Sequence, residues 1–189
     1  GANPAAVYDS RSDRVVVHYP TPGNDRNGAS GRPAVGGTNT KQLICEPTGE
    51  CAPPTTLDEW LVWPGGWPVG LKPGTPMHIS AGPGLGAQLT DGPHAGRLVF
   101  AGHTSADGMQ LVVVWFSDTS GRSWTLSNRS FSNRRSQGLG CGKPEGCFSE
   151  PTLVQLPDGT LQLNARNESN GCNATDCCAF GCDYLPTPC

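Results

Sequence analysis

The stretch "GPGLGAQL" (82–89) is the first candidate for chemistry, because clustered glycines let a backbone wrap closely around a ligand. A dinucleotide site needs G-x-G-x-x-G between a strand and a helix, whose N-terminal N–H groups hold the phosphate. Here Gly82, Gly84 and Gly86 are spaced G-x-G-x-G and strand-like sequence follows, so the loop is not expected to hold phosphate. The nine cysteines are the second candidate. Cys45/Cys51 and Cys141/Cys147 share the spacing C-x5-C, and each pair can staple its own short loop. Zinc is the rival use of such residues, but structural zinc sites usually show paired C-x2-C knuckles, and this chain has none. No metal and no cofactor are expected. Cys172, Cys177, Cys178, Cys182 and Cys189 form an odd set whose connectivity cannot be deduced from sequence. The vicinal pair Cys177-Cys178 is expected to bond to two different partners.

The elements that must position these residues read as strands. "RVVVHY" (14–19), "EWLVW" (59–63), "RLVFAGH" (97–103), "LVVVWFS" (111–117), "TLVQL" (152–156) and "TLQLNA" (160–165) are short and rich in β-branched and aromatic residues. The turn signals "TSADGM", "DTSGRS" and "LPDGTL" separate them, and the last, around Pro157-Asp158-Gly159, is the clearest hairpin. No segment keeps apolar residues at helical spacing for three turns, so the class is all-β, built of successive hairpins. Three stretches fall outside this rhythm. Residues 20–56 are polar and read as a loop insert; residues 64–76 read as a stiff connector; residues 167–189 read as a Cys-rich insert.

Composition narrows the setting. The 26 Gly and 18 Pro among 189 residues disfavour helices. The net charge of −3 and the lack of a basic patch leave no electrostatic footprint for nucleic acid. Three N-glycosylation sequons, at Asn128, Asn167 and Asn173, accompany the nine cysteines. Disulfides persist in oxidising compartments, so a secreted, cell-surface or luminal protein is expected. No apolar run approaches the roughly 18 residues of a membrane span. The chain opens at Gly1 without a signal peptide, as a mature or excised segment would.

Four segments, in order, resemble the sialidase superfamily of Asp-box β-propellers. "SDTSGRSW" (117–124) is similar to the Asp-box S-x-D-x-G-x-T-W, with Ser117, Gly121 and Trp124 in place and Thr119 where the box has Asp. "GPGLGAQL" with "GRLVFAGH" resembles the family's Gly-Pro-Gly loop and the strand after it. "SEPTLVQLPDGTLQLNARN" (149–167) resembles the segment that carries two active-site residues. "NPAAVYDSRSDRVVVHY" (3–19) is similar to the strand pair that follows the family's first Asp-box.

The resemblance implies part of a six-bladed propeller, about three blades of four-stranded antiparallel sheets, spanning residues 1–189. It implies an exo-α-sialidase that releases terminal sialic acid from sialylated glycans. Such enzymes hold the sugar carboxylate with arginines and use a tyrosine nucleophile, an exception among glycosidases. By this resemblance Glu150 in "SEP" is the glutamate that takes the tyrosine's proton, and Arg166 in "NARN" is one of the arginines. His103 and Gln88 are implied to line the sugar pocket, with the glycines shaping its rim. His18, His78 and His94 match nothing in the family pattern. The family's first arginine and aspartate would precede Gly1, and its tyrosine and last arginine would follow Cys189. Tyr184 stands too early to be the nucleophile. The rest of the propeller is therefore an expected partner of these residues. An alternative is a non-catalytic propeller that binds glycans or serves as an extracellular scaffold. Glu150 favours the enzyme, since a lectin needs the arginines but not the proton acceptor.

Overall fold

Alternating apolar residues and turn formers produce twelve β-strands and no helix among the described residues of the computed structural model, which are 4–22, 38–57, 60–62, 79–106, 109–131 and 148–167. Strands β1 (Ala5–Asp9), β2 (Arg14–Pro22), β3 (Thr38–Cys45) and β4 (Thr55–Thr56) form one antiparallel sheet in the order β4-β3-β2-β1. Strands β5 (Ile79–Ala81), β8 (Leu98–Ala106), β9 (Met109–Ser117) and β10 (Thr125–Phe131) form a second, in the order β10-β9-β8-β5. These are the four-stranded antiparallel units expected of blades. Each gains a two-residue strand: β6 (Gly84–Leu85) on β1 and β7 (Ala87–Gln88) on β8. Strands β11 (Phe148–Gln155) and β12 (Leu161–Asn167) pair as a separate hairpin.

Two readings of the sequence are corrected. The stretch 20–56 is not simply a loop insert: β2 continues to Pro22, and β3 pairs with it from Val15↔Cys45 to Pro22↔Thr38. Strand β3 shows no apolar run because Thr40 and Gln42 occupy its inward positions, and both are buried. The backbone ladder to β2 and hydrogen bonds of Thr40 and Gln42 with residues of other strands and turns hold it in place. The run "EWLVW" (59–63) is likewise not a strand in its described part. Trp60 and Leu61 both donate their backbone N–H to the Leu57 carbonyl, at 3.0 and 2.9 Å, making a turn that buries Leu57 and Leu61 together. A short apolar run reports burial, not the conformation that achieves it.

The second sheet is buried on both faces, which explains its near-continuous apolar sequence. Leu98, Phe100, Val113 and Trp115 join Val7, Val16, Leu57, Leu61 and Trp124 in the larger core, shared with the first sheet. Val99 and Ala101, the alternate residues of β8, face Leu153 of the β11–β12 hairpin in a second core. The order of layers is therefore first sheet, second sheet, hairpin. The connector at 64–76, Cys141–Cys147, Asn173, His78, Tyr184 and the Cys-rich stretch after Asn167 lie outside the described residues.

Candidate active site

The glycine loop lies where these layers meet. β5 and β7 run along the same edge of β8, pairing with Gly102–Thr104 and Leu98–Val99 respectively. Between them the chain leaves this sheet, and Gly84–Leu85 pairs in parallel with Ala5–Ala6 of β1. The Gly82 N–H donates to the Ala101 carbonyl at 3.1 Å and the Gly86 N–H to the Ala6 carbonyl at 2.8 Å, tying the loop to both sheets. A Cβ on Gly82 would stand 1.8 Å from the Pro151 carbonyl oxygen of β11. Gly84 adopts φ 131°, and a Cβ there would meet Thr152 Oγ1 at 3.2 Å. Only glycine lets the loop approach β11 this closely. The loop's one large side chain, Leu85, is 70% exposed.

Glu150 stands directly beside this contact. The β11–β12 ladder pairs Ser149 with Arg166 and resumes at Thr152 with Asn164, so Glu150 and Pro151 together oppose the single residue Ala165. This is a β-bulge, which bends its strand and re-aims a side chain. Pro151 suits the bulge because its missing N–H leaves no ladder donor unpaired. Glu150 has φ 48°, a left-handed conformation that costs a non-glycine residue about 1–2 kcal/mol. Its backbone N–H donates to His103 Nδ1 at 3.4 Å. Strand β8 positions His103, opposite Ser80 and Val112 in the middle of the second sheet.

The far end of the hairpin is built as the sequence suggests. The Gly159 N–H donates to the Leu156 carbonyl at 2.9 Å and the Thr160 N–H to Asp158 Oδ1 at 2.9 Å, with Gly159 at φ 83°. The backbone N–H of Thr160 holds the Asp158 carboxyl below its ordinary pKa. Chain reversal there brings Arg166 opposite Ser149, so Glu150, Arg166, His103 and the glycine loop share one end of the hairpin.

Gln88 is used differently. Its Nε2 donates to Asp9 Oδ1 at 2.7 Å and to the Gly96 carbonyl at 3.3 Å, while its Oε1 accepts from Ser10 N at 2.9 Å and Ser10 Oγ at 2.7 Å. Both donors and both acceptor positions of the amide are thereby engaged. Gln88 fastens β7 to the β1–β2 turn, around a buried Asp9. Burial alone would raise the Asp9 carboxyl, but hydrogen bonds from Ser120, Ser12, the Arg11 N–H and Gln88 outweigh it and hold the group ionised, below its usual pKa.

The turn from Ser117 to Trp124 bonds its own backbone. Ser117 Oγ accepts from the N–H groups of Thr119 and Gly121, at 3.1 and 3.0 Å. Thr119 Oγ1 accepts from the Ser123 N–H at 2.9 Å, so a hydroxyl serves at the position where the motif that this turn resembles has an aspartate. The neighbouring carboxylate, Asp118, turns outward to a bidentate pair with Arg97, both contacts at 2.8 Å, and that guanidinium lowers its pKa. Arg97 also lies over the Phe116 ring, 4.0 Å from its centroid.

A buried polar chain behind this turn was not foreseen from sequence. The Trp124 indole donates to Gln42 Oε1 at 2.7 Å, and His18 Nε2 lies 3.1 Å from the same oxygen. The Trp115 indole donates to His18 Nδ1 at 3.0 Å. An acceptor at Nδ1 puts the imidazole proton on Nε2, which then donates to Gln42. Gln42 Nε2 completes the chain at the Gly121 carbonyl, 3.0 Å away. His18 also stacks on Phe100, with ring centroids 4.1 Å apart. Burial depresses its pKa to about 3, against a partial upward pull from Gln42. The available signal was alternation: His18 follows the buried Val16 by two residues in β2, on the same inward face.

Cys45 and Cys51 are disulfide-bonded, as their spacing suggests. Of the sequons, Asn128 falls in β10 and Asn167 closes β12.

No family model matches the chain. A stretch of 100 residues, 53% of the chain, is 27% identical to the anhydrosialidase of Macrobdella decora, spanning 11% of that protein. Among solved structures, the chain resembles the Trypanosoma rangeli sialidase in complex with the inhibitor DANA, with a TM-score of 0.61 and 12% identity. That likeness covers 87% of this chain and 24% of the other. It also resembles the intramolecular trans-sialidase of Ruminococcus gnavus in complex with oseltamivir carboxylate, with a TM-score of 0.53 and 15% identity over 87% of this chain and 49% of that one. The chain thus spans less than half the length of each of these proteins. With sialidase homology over about half its length, and with these sheets, it has the fold of part of a sialidase-superfamily β-propeller.

Proposed function

We propose that this chain is the middle part of an exo-α-sialidase-like glycoside hydrolase, acting on terminal sialic acid of extracellular glycoconjugates. One observation supports the reading most: Glu150, in its bulge, and Arg166 occupy the same end of one hairpin, against a glycine loop that joins the two larger sheets. In this reading Arg166 offers its planar fork to the sugar carboxylate. Glu150 takes the proton of a tyrosine nucleophile supplied by chain outside these residues, and a neutral nucleophile avoids repulsion by the substrate carboxylate. The reading rests on Glu150 and Arg166, not on Gln88, whose amide is engaged within the protein. The Cys45–Cys51 disulfide supports an oxidising, secretory setting, where Asn128, Asn167 and Asn173 would be available for glycosylation. No helix among the described residues is long and apolar enough to cross a membrane.

The test is release of sialic acid from a sialylated reporter by the intact protein. Wild type should release it. Glu150→Gln should lower kcat by about 10²–10⁴-fold, the usual worth of a positioned proton acceptor, with KM little changed. Arg166→Ala should instead weaken binding by roughly 2–5 kcal/mol, the cost of removing one partner of a hydrogen-bonded charge pair. Asn167 adjoins Arg166, so the reading requires that any glycan there leave the Glu150–Arg166 end of the hairpin open. Wild-type protein that binds sialylated glycans without releasing sugar would replace the enzyme with a glycan-binding module, and a glycan on Asn167 that blocks the Glu150–Arg166 end of the hairpin would leave a scaffold.

A further inference from the structure

We propose that His103 and Gly82 are positioning residues that hold the Glu150 carboxylate for its part in the reaction; this rests on the sialidase reading above. The backbone conformation of Glu150 does not sustain itself. A left-handed φ of 48° is unfavourable for a residue with a Cβ, and a following proline restricts the residue before it toward extended conformations. Surrounding structure must over-determine such a conformation, and here it does so from both sides.

On the N-terminal side, the Glu150 N–H donates to His103 Nδ1 at 3.4 Å. His103 belongs to an inner strand, paired on one flank with Ser80 and on the other with Val112. On the C-terminal side, the Pro151 carbonyl oxygen occupies the space where a Cβ of residue 82 would stand, 1.8 Å from that position. Gly82 is itself anchored, its N–H donating to the Ala101 carbonyl at 3.1 Å. Both anchors therefore trace to β8, two residues apart at Ala101 and His103. Leu153, three residues beyond Glu150, is buried against the same strand's Val99 and Ala101. The direction of the Glu150 side chain is set by the second sheet as much as by its own hairpin.

The experiment measures kcat and KM for sialic acid release by the full-length protein and its His103→Phe, His103→Asn and Gly82→Ala variants, alongside each thermal midpoint. Phenylalanine keeps the ring's shape and removes the acceptor, while asparagine returns an acceptor oxygen close to the Nδ1 position. His103→Phe should lower kcat about tenfold or more with KM within about twofold, since small misplacements of a reacting group cost rate before binding. His103→Asn should recover most of that loss. Gly82→Ala, which forces β11 away, should lower kcat at least as far. A His103→Phe variant that keeps wild-type kcat, a rise in KM alone, or a His103→Asn variant no better than His103→Phe overturns the proposal while the sialidase reading stands. A rise in KM alone would assign His103 to substrate contact instead. Wild-type protein that releases no sugar overturns the reading and this proposal with it.

Discussion

His18 shows what a titratable residue does when it is buried for structure. Both ring nitrogens are engaged, Nδ1 as acceptor from Trp115 and Nε2 as donor to Gln42. A second ring proton at Nδ1 would face the Trp115 donor and replace attraction with repulsion, in a fully buried site. The folded pKa of about 3 lies below the ordinary 6.5, so the unfolded chain binds this proton more readily. The resulting stability is fully present above pH 6.5 and is lost as pH falls from there toward about 3. The slope in that window should reach about 1.4 kcal/mol per pH unit. Urea unfolding at a series of pH values should show this decline in wild type and a flatter one in His18→Gln. Asp9, whose carboxyl is held below its usual pKa, adds a decline only below its own unfolded value, and the variant retains it. Parallel curves for wild type and variant between pH 6 and 4.5 would show that His18 is not buried neutral.

At the scale of single elements, legibility depended on how local the specification was. The β11–β12 hairpin is encoded within about twenty residues: alternation on both sides and a Pro-Asp-Gly turn that bonds itself. The Cys45–Cys51 staple is equally local, closing a loop in which Glu46 N and Gly49 N already bond to Glu50 and Glu46 carbonyls. Replacing both cysteines by serine should cost about 2 kcal/mol, the loop-closure entropy of a ring this short, read as a lower denaturation midpoint. Gly159→Ala should cost about 1 kcal/mol, because φ 83° is left-handed backbone that penalises a Cβ. Strand β3 was not legible. Its inward Thr40 and Gln42 give no apolar signal, and their partners come from elsewhere: Ile79 for Thr40, and His18, Trp124 and Gly121 for Gln42.

Across the whole molecule, the second sheet is the layer on which the rest depends. Its two faces carry separate cores, and the β11–β12 hairpin is docked through Leu153 against Val99 and Ala101. Leu153→Ala should destabilise by roughly 2–5 kcal/mol, as buried Leu truncations do. The effect should be uneven: amide exchange should quicken first in β11 and β12, while β1–β3 keep their protection. Uniform loss of protection would mean that hairpin and sheets unfold as one unit. If the proposed sialidase function holds, the same substitution should also reduce sialic acid release before it unfolds the larger core, because Glu150 lies on β11.

The sequence by itself determined the all-β class, the hairpin turns, the Cys45–Cys51 staple and the placing of Glu150 and Arg166 at the same end of one hairpin. Each is set by backbone preferences and side chains within a few positions of one another, or by a pattern of such segments. Only the tertiary structure decided that a polar strand would lie inside the first sheet, and that His18 would meet Trp115, 97 positions away. It also decided that Gln88 would bind Asp9 and Ser10, and that Gly82 would face Pro151. These outcomes depend on which sheets stack on which. A buried donor or acceptor takes whatever partner the neighbouring layer brings within reach, and no local pattern in the chain encodes that partner.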